Sequence, residues 1–290
     1  MKSFLFILII SFILIPIVAE GAILYLEPAE AQYYQEDTFI VEIRFNTEGE
    51  YINTAKVNLE FNAEIIEVKD FSEGNSVLTL WVKNPTYSNQ EGTVSLIGGV
   101  PGGYQGWDGL LGRIVFRAKQ EGKVQINFPD SCQVLLNDGF GTPAELRREG
   151  ATLTVLAEKR EIPQDEWQEE LEKDTTPPEP FEIEIHQTPE IFEGKYFIIF
   201  STTDKQTGID YFEVKEGEKD WQREESPYLL EDQDLQSIIK VKAIDKAGNE
   251  RIAEYLPPKK PFPCWLIVTV AIGSVIVGWI IYKIIRKKLG

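Results

Sequence analysis

The chain has 290 residues, 47 of them acidic against 29 basic, for a formal net charge of −18. A surface this acidic repels phosphate backbones and anionic lipid headgroups, which argues against nucleic acid as a partner. Two cysteines and one histidine cannot build a disulfide framework, a thiolate zinc site or a histidine relay, so Cys132 reads as a small buried hydrophobe and His186 as a structural residue on a strand.

At the start of the chain, Lys2 precedes an apolar run from Phe4 to Val18, and small residues follow at Ala19, Gly21 and Ala22. That is the order of a secretory signal. Residues 1–21 are expected to be a signal peptide cleaved after Ala19 or Gly21, with an uncleaved signal anchor as the alternative.

From residue 22 to 156 the pattern is strand after strand. Phe39, Val41, Ile43 and Phe45 alternate with Glu42, Arg44 and Asn46, and Ala55, Val57, Leu59 and Phe61 alternate with Thr54, Lys56, Asn58 and Glu60. Further runs are Val77 to Val82, Thr93 to Ile97, Arg113 to Ala118, Lys123 to Phe128, Gln133 to Leu136 and Ala151 to Val155. About nine short strands with glycine-rich turns predict a β-sandwich.

The runs Leu24 to Pro28, Glu36 to Val41, Phe61 to Val68, Gly92 to Gly99, Leu111 to Lys119 and Val134 to Gly139, in that order and spacing, resemble the cohesin domain of cellulosome scaffolds and its surface-protein relatives. The resemblance spans residues 22 to 156. It implies a nine-stranded jelly-roll sandwich related to carbohydrate-binding modules, a role in binding rather than catalysis, and a dockerin-like protein as partner. The strand that supplies polar contacts to dockerins in that family resembles residues 53–60, whose outward positions are Thr54, Lys56, Asn58 and Glu60. Cellulosomal cohesins commonly carry Asn and Asp there, and Thr54 and Lys56 depart from that pattern. A second candidate surface is aromatic: Tyr87, Tyr104 and Trp107, near strand ends or in the glycine-rich stretch 98–112, are side chains suited to stacking on sugar rings. Trp81 reads as core.

Residues 157–180 change character, with charges, Pro163, an i, i+4 pair of Trp167 and Leu171, and then Asp174-Thr175-Thr176-Pro177-Pro178. This predicts a linker with one short helix and a stiff hinge. Residues 181–256 again read as short strands. The stretches Asp204 to Ile209 and Val241 to Asn249 resemble bacterial immunoglobulin-like or fibronectin type III-like modules, which implies a spacer. Residues 257–263 read as a proline-rich stalk. Cys264 to Tyr282 carry no charge and are followed by Lys283, Arg286, Lys287 and Lys288. At 1.5 Å per residue this predicts a transmembrane helix over 264–282 with a cytoplasmic basic tail over 283–290, and therefore a single-pass cell-membrane protein with extracellular N-terminal domains.

The expected fold class is thus all-β: a cohesin-like jelly-roll sandwich and an Ig-like sandwich, with one C-terminal transmembrane helix. The expected function is binding, with an extracellular dockerin-like protein as partner. The alternatives are a polysaccharide-recognising adhesin and a purely structural envelope protein. No nucleophile elbow, metal-ligand cluster or phosphate loop points to an enzyme. No cofactor is expected; a calcium site stays open, without a location, because no run has the spacing of a calcium loop.

Overall fold

A computed structural model describes residues 21–258 and 264–288. The first group of strands comprises β1 (Ala22–Glu27), β2 (Glu30–Gln35), β3 (Thr38–Asn46), β4 (Ile52–Glu60), β5 (Ile66–Ser72), β6 (Leu80–Ser88), β7 (Thr93–Tyr104), β8 (Gly109–Ala118), β9 (Gly122–Ile126), β10 (Gln133–Leu136), β11 (Leu146–Glu149) and β12 (Ala151–Lys159). After helix α1 (Glu166–Lys173) come β13 (Glu184–Thr188), β14 (Ile191–Ile199), β15 (Ile209–Glu216), β16 (Gln222–Glu224), β17 (Tyr228–Leu229), β18 (Ile239–Asp245) and β19 (Glu250–Tyr255), then helix α2 (Cys264–Lys288).

In the first group, one sheet runs β11-β1-β3-β8-β5, a second β10-β4-β7-β6, and a shorter one β2-β12-β9. The alternation seen in the sequence is the physical reason they pack face to face. In β3, Phe39, Val41, Ile43 and Phe45 are all buried; in β4, Ala55, Val57 and Leu59 are buried while Thr54, Lys56 and Asn58 stay at the surface. Phe39 sits at the centre, stacked on Tyr33 at 3.8 Å between ring centroids and beside Phe116 at 5.8 Å. Burying such rings supplies about 25 cal/mol for each Å² of apolar surface removed from water. Twelve strands are found where about nine are expected. The extra ones are β2 and β11, which pair in parallel with β12 and β1, together with β5.

The second group forms two smaller sheets, β13-β14-β17 and β16-β15-β18-β19, around Ile198, Phe200, Val214, Leu230, Ile239 and Val241. Helix α1 is capped by Asp165, whose side chain accepts from Gln168 N at 2.9 Å, so the helix starts after Asp165. It lies against β3, with Trp167 buried and Glu166 Oε2 accepting from Ile40 N at 2.9 Å.

Among the described residues no helix is long and apolar enough to cross a membrane. This corrects the expectation of a transmembrane helix over 264–282 and, with it, the single-pass cell-membrane localisation and the membrane contact. Helix α2 itself covers Cys264–Lys288. All but the last residue of the signal peptide expected over residues 1–21, and residues 259–263 of the proline-rich stalk, lie outside the described residues.

Candidate functional site

Strand β4 lies in the interior of its sheet, between β10 and β7. Thr54, Lys56 and Asn58, half-buried, and Glu60, exposed, form one outward row along it. Register places Leu135 beside Thr54 and Gln133 beside Lys56 on the β10 side, and Ile97 beside Lys56, Ser95 beside Asn58 and Thr93 beside Glu60 on the β7 side. Beyond β7, Lys83 of β6 pairs with Ile97 and sets its Nζ 3.3 Å from Ser95 Oγ. Asn58 is steadied by its side-chain donation to Ser131 Oγ at 3.0 Å and by the Cys132 thiol, which donates to Asn58 O at 3.2 Å. Cys132 is buried, and burial pushes its thiol above the usual value. The four candidate residues therefore share one face, and Lys83, Ile97 and Leu135 of the neighbouring strands stand beside them.

The aromatic candidates do not come together. Tyr87 of β6 pairs with Val94 of β7, whereas Tyr104 ends β7 beyond a bulge; opposite them on β4 stand Leu59 and Ile52, seven residues and on the order of 20 Å apart. Tyr104 packs against the core, and Trp81 is likewise half-buried against it. Trp107 stands 73% exposed. Its loop is clamped by the next residue, Asp108, which accepts from Tyr25 Oη at 2.7 Å and pairs with Arg44 at 2.8 Å. Those partners, Tyr25 first, hold the Asp108 carboxyl below its ordinary range. Two neighbouring loops carry aromatics that sequence reading passed over: Tyr51, and Phe140 at 90% exposure. Asn137 N donates to Tyr51 O at 2.8 Å, and Thr47 N, at the start of the Tyr51 loop, to Gly106 O beside Trp107 at 2.9 Å, so the three loops meet at one end of the sandwich. Only their isolation in turns could have flagged them.

His186 sits on β13, with Nε2 3.1 Å from Glu184 and its ring 5.8 Å from that of Phe197. No described cysteine, histidine or carboxylate cluster gathers around it. The acidic residues that do gather are elsewhere. Asp174 caps the end of α1, Asp204 lies in the loop before β15, and Asp245 ends β18; one carboxylate oxygen of each lies within 4.8 Å of the others, and all three are buried. Burial raises the Asp245 pKa above its ordinary value, and the negative charges of Asp174 and Asp204 add to the rise.

The two sandwiches touch through this region. Gly74, in the turn after β5, meets the 206–208 backbone so closely that a Cβ there would fall 2.1 Å from Gln206 O. Ser72 Oγ donates to Thr207 O at 2.7 Å, Arg113 to Gln206 O at 2.9 Å, Asn75 N to Asp204 O at 3.1 Å, and Lys246 Nζ to both Asp70 oxygens at 2.9 Å.

No family model matches the sequence, and no curated protein does. Solved structures do, and cohesin domains are among them. A non-cellulosomal cohesin from the hyperthermophilic archaeon Archaeoglobus fulgidus is 14% identical over 47% of this chain and 91% of its own, with a TM-score of 0.39. The seventh ScaB type I cohesin from Pseudobacteroides cellulosolvens is 18% identical over 49% of this chain and 96% of its own, with a TM-score of 0.41. A type I cohesin–dockerin complex from Clostridium thermocellum matches at 12% identity over 48% of this chain and 95% of its own, also at 0.41.

Proposed function

We propose that the first sandwich is a non-catalytic binding module that receives a protein partner on the outer face of its β10-β4-β7-β6 sheet, with the second sandwich as its spacer. The observation that carries this reading is the row Thr54, Lys56, Asn58 and Glu60 on an interior strand, in register with Ile97 and Leu135. Paired strands on both sides hold these side chains on rigid backbone, which limits the entropy lost on binding. The ammonium groups of Lys56 and Lys83 suit an acidic or amide-bearing partner surface, and they do so on a chain that is otherwise strongly acidic. The resemblance of residues 22–156 to cohesins makes a dockerin-like protein the class to test first.

The test is capture of a dockerin-like partner by the full chain, compared with a variant carrying Lys56→Glu, Thr54→Ala and Asn58→Ala. Capture should weaken more than tenfold, about 1.4 kcal/mol, with little change in melting temperature because these side chains lie outside the core. Unchanged capture would refute the assignment of this face.

The exposure of Trp107 beside the Tyr51 and Phe140 loops favours a second reading, recognition of a polysaccharide at the loop end of the sandwich. On that reading Trp107→Ala with Phe140→Ala abolishes retention on polysaccharide, and the β4 variant is retained as well as the parent. Retention that survives the aromatic substitutions removes the second reading.

A further inference from the structure

We propose that Asp174, Asp204 and Asp245 bind one divalent cation of the calcium type, which locks the linker and the second sandwich onto the first. Their carboxylates are buried, one oxygen of each lies within 4.8 Å of the others, and among the described residues none forms an ion pair with a lysine, arginine or histidine. Three negative charges held this close, out of water and without a cation, repel one another strongly.

The hydrogen bonds of the six oxygens are unequal. Asp174 Oδ1 accepts from Thr176 N, and Oδ2 from Thr207 N and Oγ1. Asp245 Oδ1 accepts from Asn249 N, and Oδ2 from Asn249 Nδ2. Asp204 Oδ1 accepts from the backbone of Gln206 and Gly208, whereas its Oδ2 accepts from nothing, although the residue is only 4% exposed. Every fully enclosed polar side-chain atom among the described residues has a partner, so Oδ2 keeps a small accessible surface of its own. A carboxylate buried in this way, with one oxygen free, is what a cation ligand requires and what a structural hydrogen-bond acceptor does not.

The donor set selects the ion. All three ligands are hard oxygens, with no thiol or imidazole among them, which disfavours zinc and copper. Calcium–oxygen bonds of roughly 2.3–2.6 Å allow two ligand oxygens on one ion to be up to about 4.6–5.2 Å apart, and the three carboxylate oxygens here lie no more than 4.8 Å from one another. Each ligand also belongs to a segment that grips the first sandwich. Asp174 ends the helix lying on β3, Asp204 offers its carbonyl to Asn75 N, and Asp245 precedes Lys246, which pairs with Asp70. One ion would therefore tie three contacts together. The ligands are 30 and 41 positions apart in sequence, so the site has no local motif.

The experiment is calorimetric titration of the chelator-treated full chain with calcium chloride and with magnesium chloride, together with melting curves in 5 mM calcium and in chelator. One calcium per chain should bind, at least tenfold more tightly than magnesium, and calcium should raise the melting temperature by about 5 °C or more, reversibly. Asp204→Asn should weaken calcium binding at least tenfold. It should melt in chelator no lower than the parent, because one of the three repelling charges is gone. Absence of binding heat and of any melting shift in the parent protein at 10 mM calcium overturns the proposal without reference to a variant. So does an Asp204→Asn protein that binds calcium as tightly as the parent.

Discussion

Replacing Glu73 by Gln should change how the stability of the chain depends on pH, because Glu73 lies in the turn that the second sandwich covers. Loss of water there lifts its pKa from an ordinary 4.5 to about 7; the positive charge of Lys246 opposes the rise but does not cancel it. Lys246 is already engaged by both oxygens of Asp70, and no described donor hydrogen-bonds the Glu73 carboxylate. A carboxyl whose folded pKa is raised destabilises the fold above that pKa, where it must be charged in both states. As pH falls from 7 toward 4.5 the folded protein takes up a proton that the unfolded chain does not, and stability rises. Between pH 8 and pH 5 this group should therefore contribute a change of about 2 to 3 kcal/mol, at 1.36 kcal/mol per pKa unit. Glu166 and Asp245 are also raised, so the parent curve sums several groups, and the difference between parent and variant isolates Glu73. Urea denaturation of both proteins at pH 5, 6, 7 and 8 is the assay. The variant should gain most on the parent at pH 8 and lose that advantage by pH 5. Parallel stability curves across this range would show that Glu73 is not desolvated by the docked sandwich.

Three further outcomes test the contact between the sandwiches and the helix beside it. In a double-mutant cycle, Asp70→Ala and Lys246→Ala should show a coupling of about 1 kcal/mol, since the lysine side chain is only 14% exposed; additive effects would mean that the pair does not hold the domains together. Gly74→Ala places a Cβ 2.1 Å from Gln206 O and should cost about 2 kcal/mol or split a single calorimetric melt into two, so a melt identical to the parent's would deny the close approach. Trp167→Ala removes the buried side chain of α1 and should cost about 3 kcal/mol in urea denaturation; a loss below 1 kcal/mol would mean that the helix is only loosely docked.

Alternation is a local property, and wherever one face of a strand is buried it could be read directly. The periods in β3 and β4 determined which side chains of Phe39 to Phe45 and Ala55 to Leu59 enter the core, and they placed Thr54, Lys56, Asn58 and Glu60 on a common face. Strand β6 did not yield to the same reading. It was expected over Val77 to Val82 but forms over Leu80–Ser88, at the edge of its sheet, where most of its side chains are exposed and Pro85 and two register shifts interrupt the pattern. Strands β2 and β11 were missed because each is held by a partner more than a hundred residues away, Glu30 by Thr152 and Leu146 by Ala22, and such pairing leaves no periodic trace.

Composition alone determined that the chain is strongly acidic and has too few cysteines and histidines for a zinc centre or a disulfide framework. Which aromatics share a surface was decided by tertiary structure, which separates Tyr87 from Tyr104 and gathers Tyr51, Trp107 and Phe140 at the end where their loops meet. The docking of the sandwiches and the meeting of Asp174, Asp204 and Asp245 were decided there as well. A carboxylate's neighbours across a fold depend on how separate segments pack, and that packing comes from the burial of apolar faces that contain none of these aspartates.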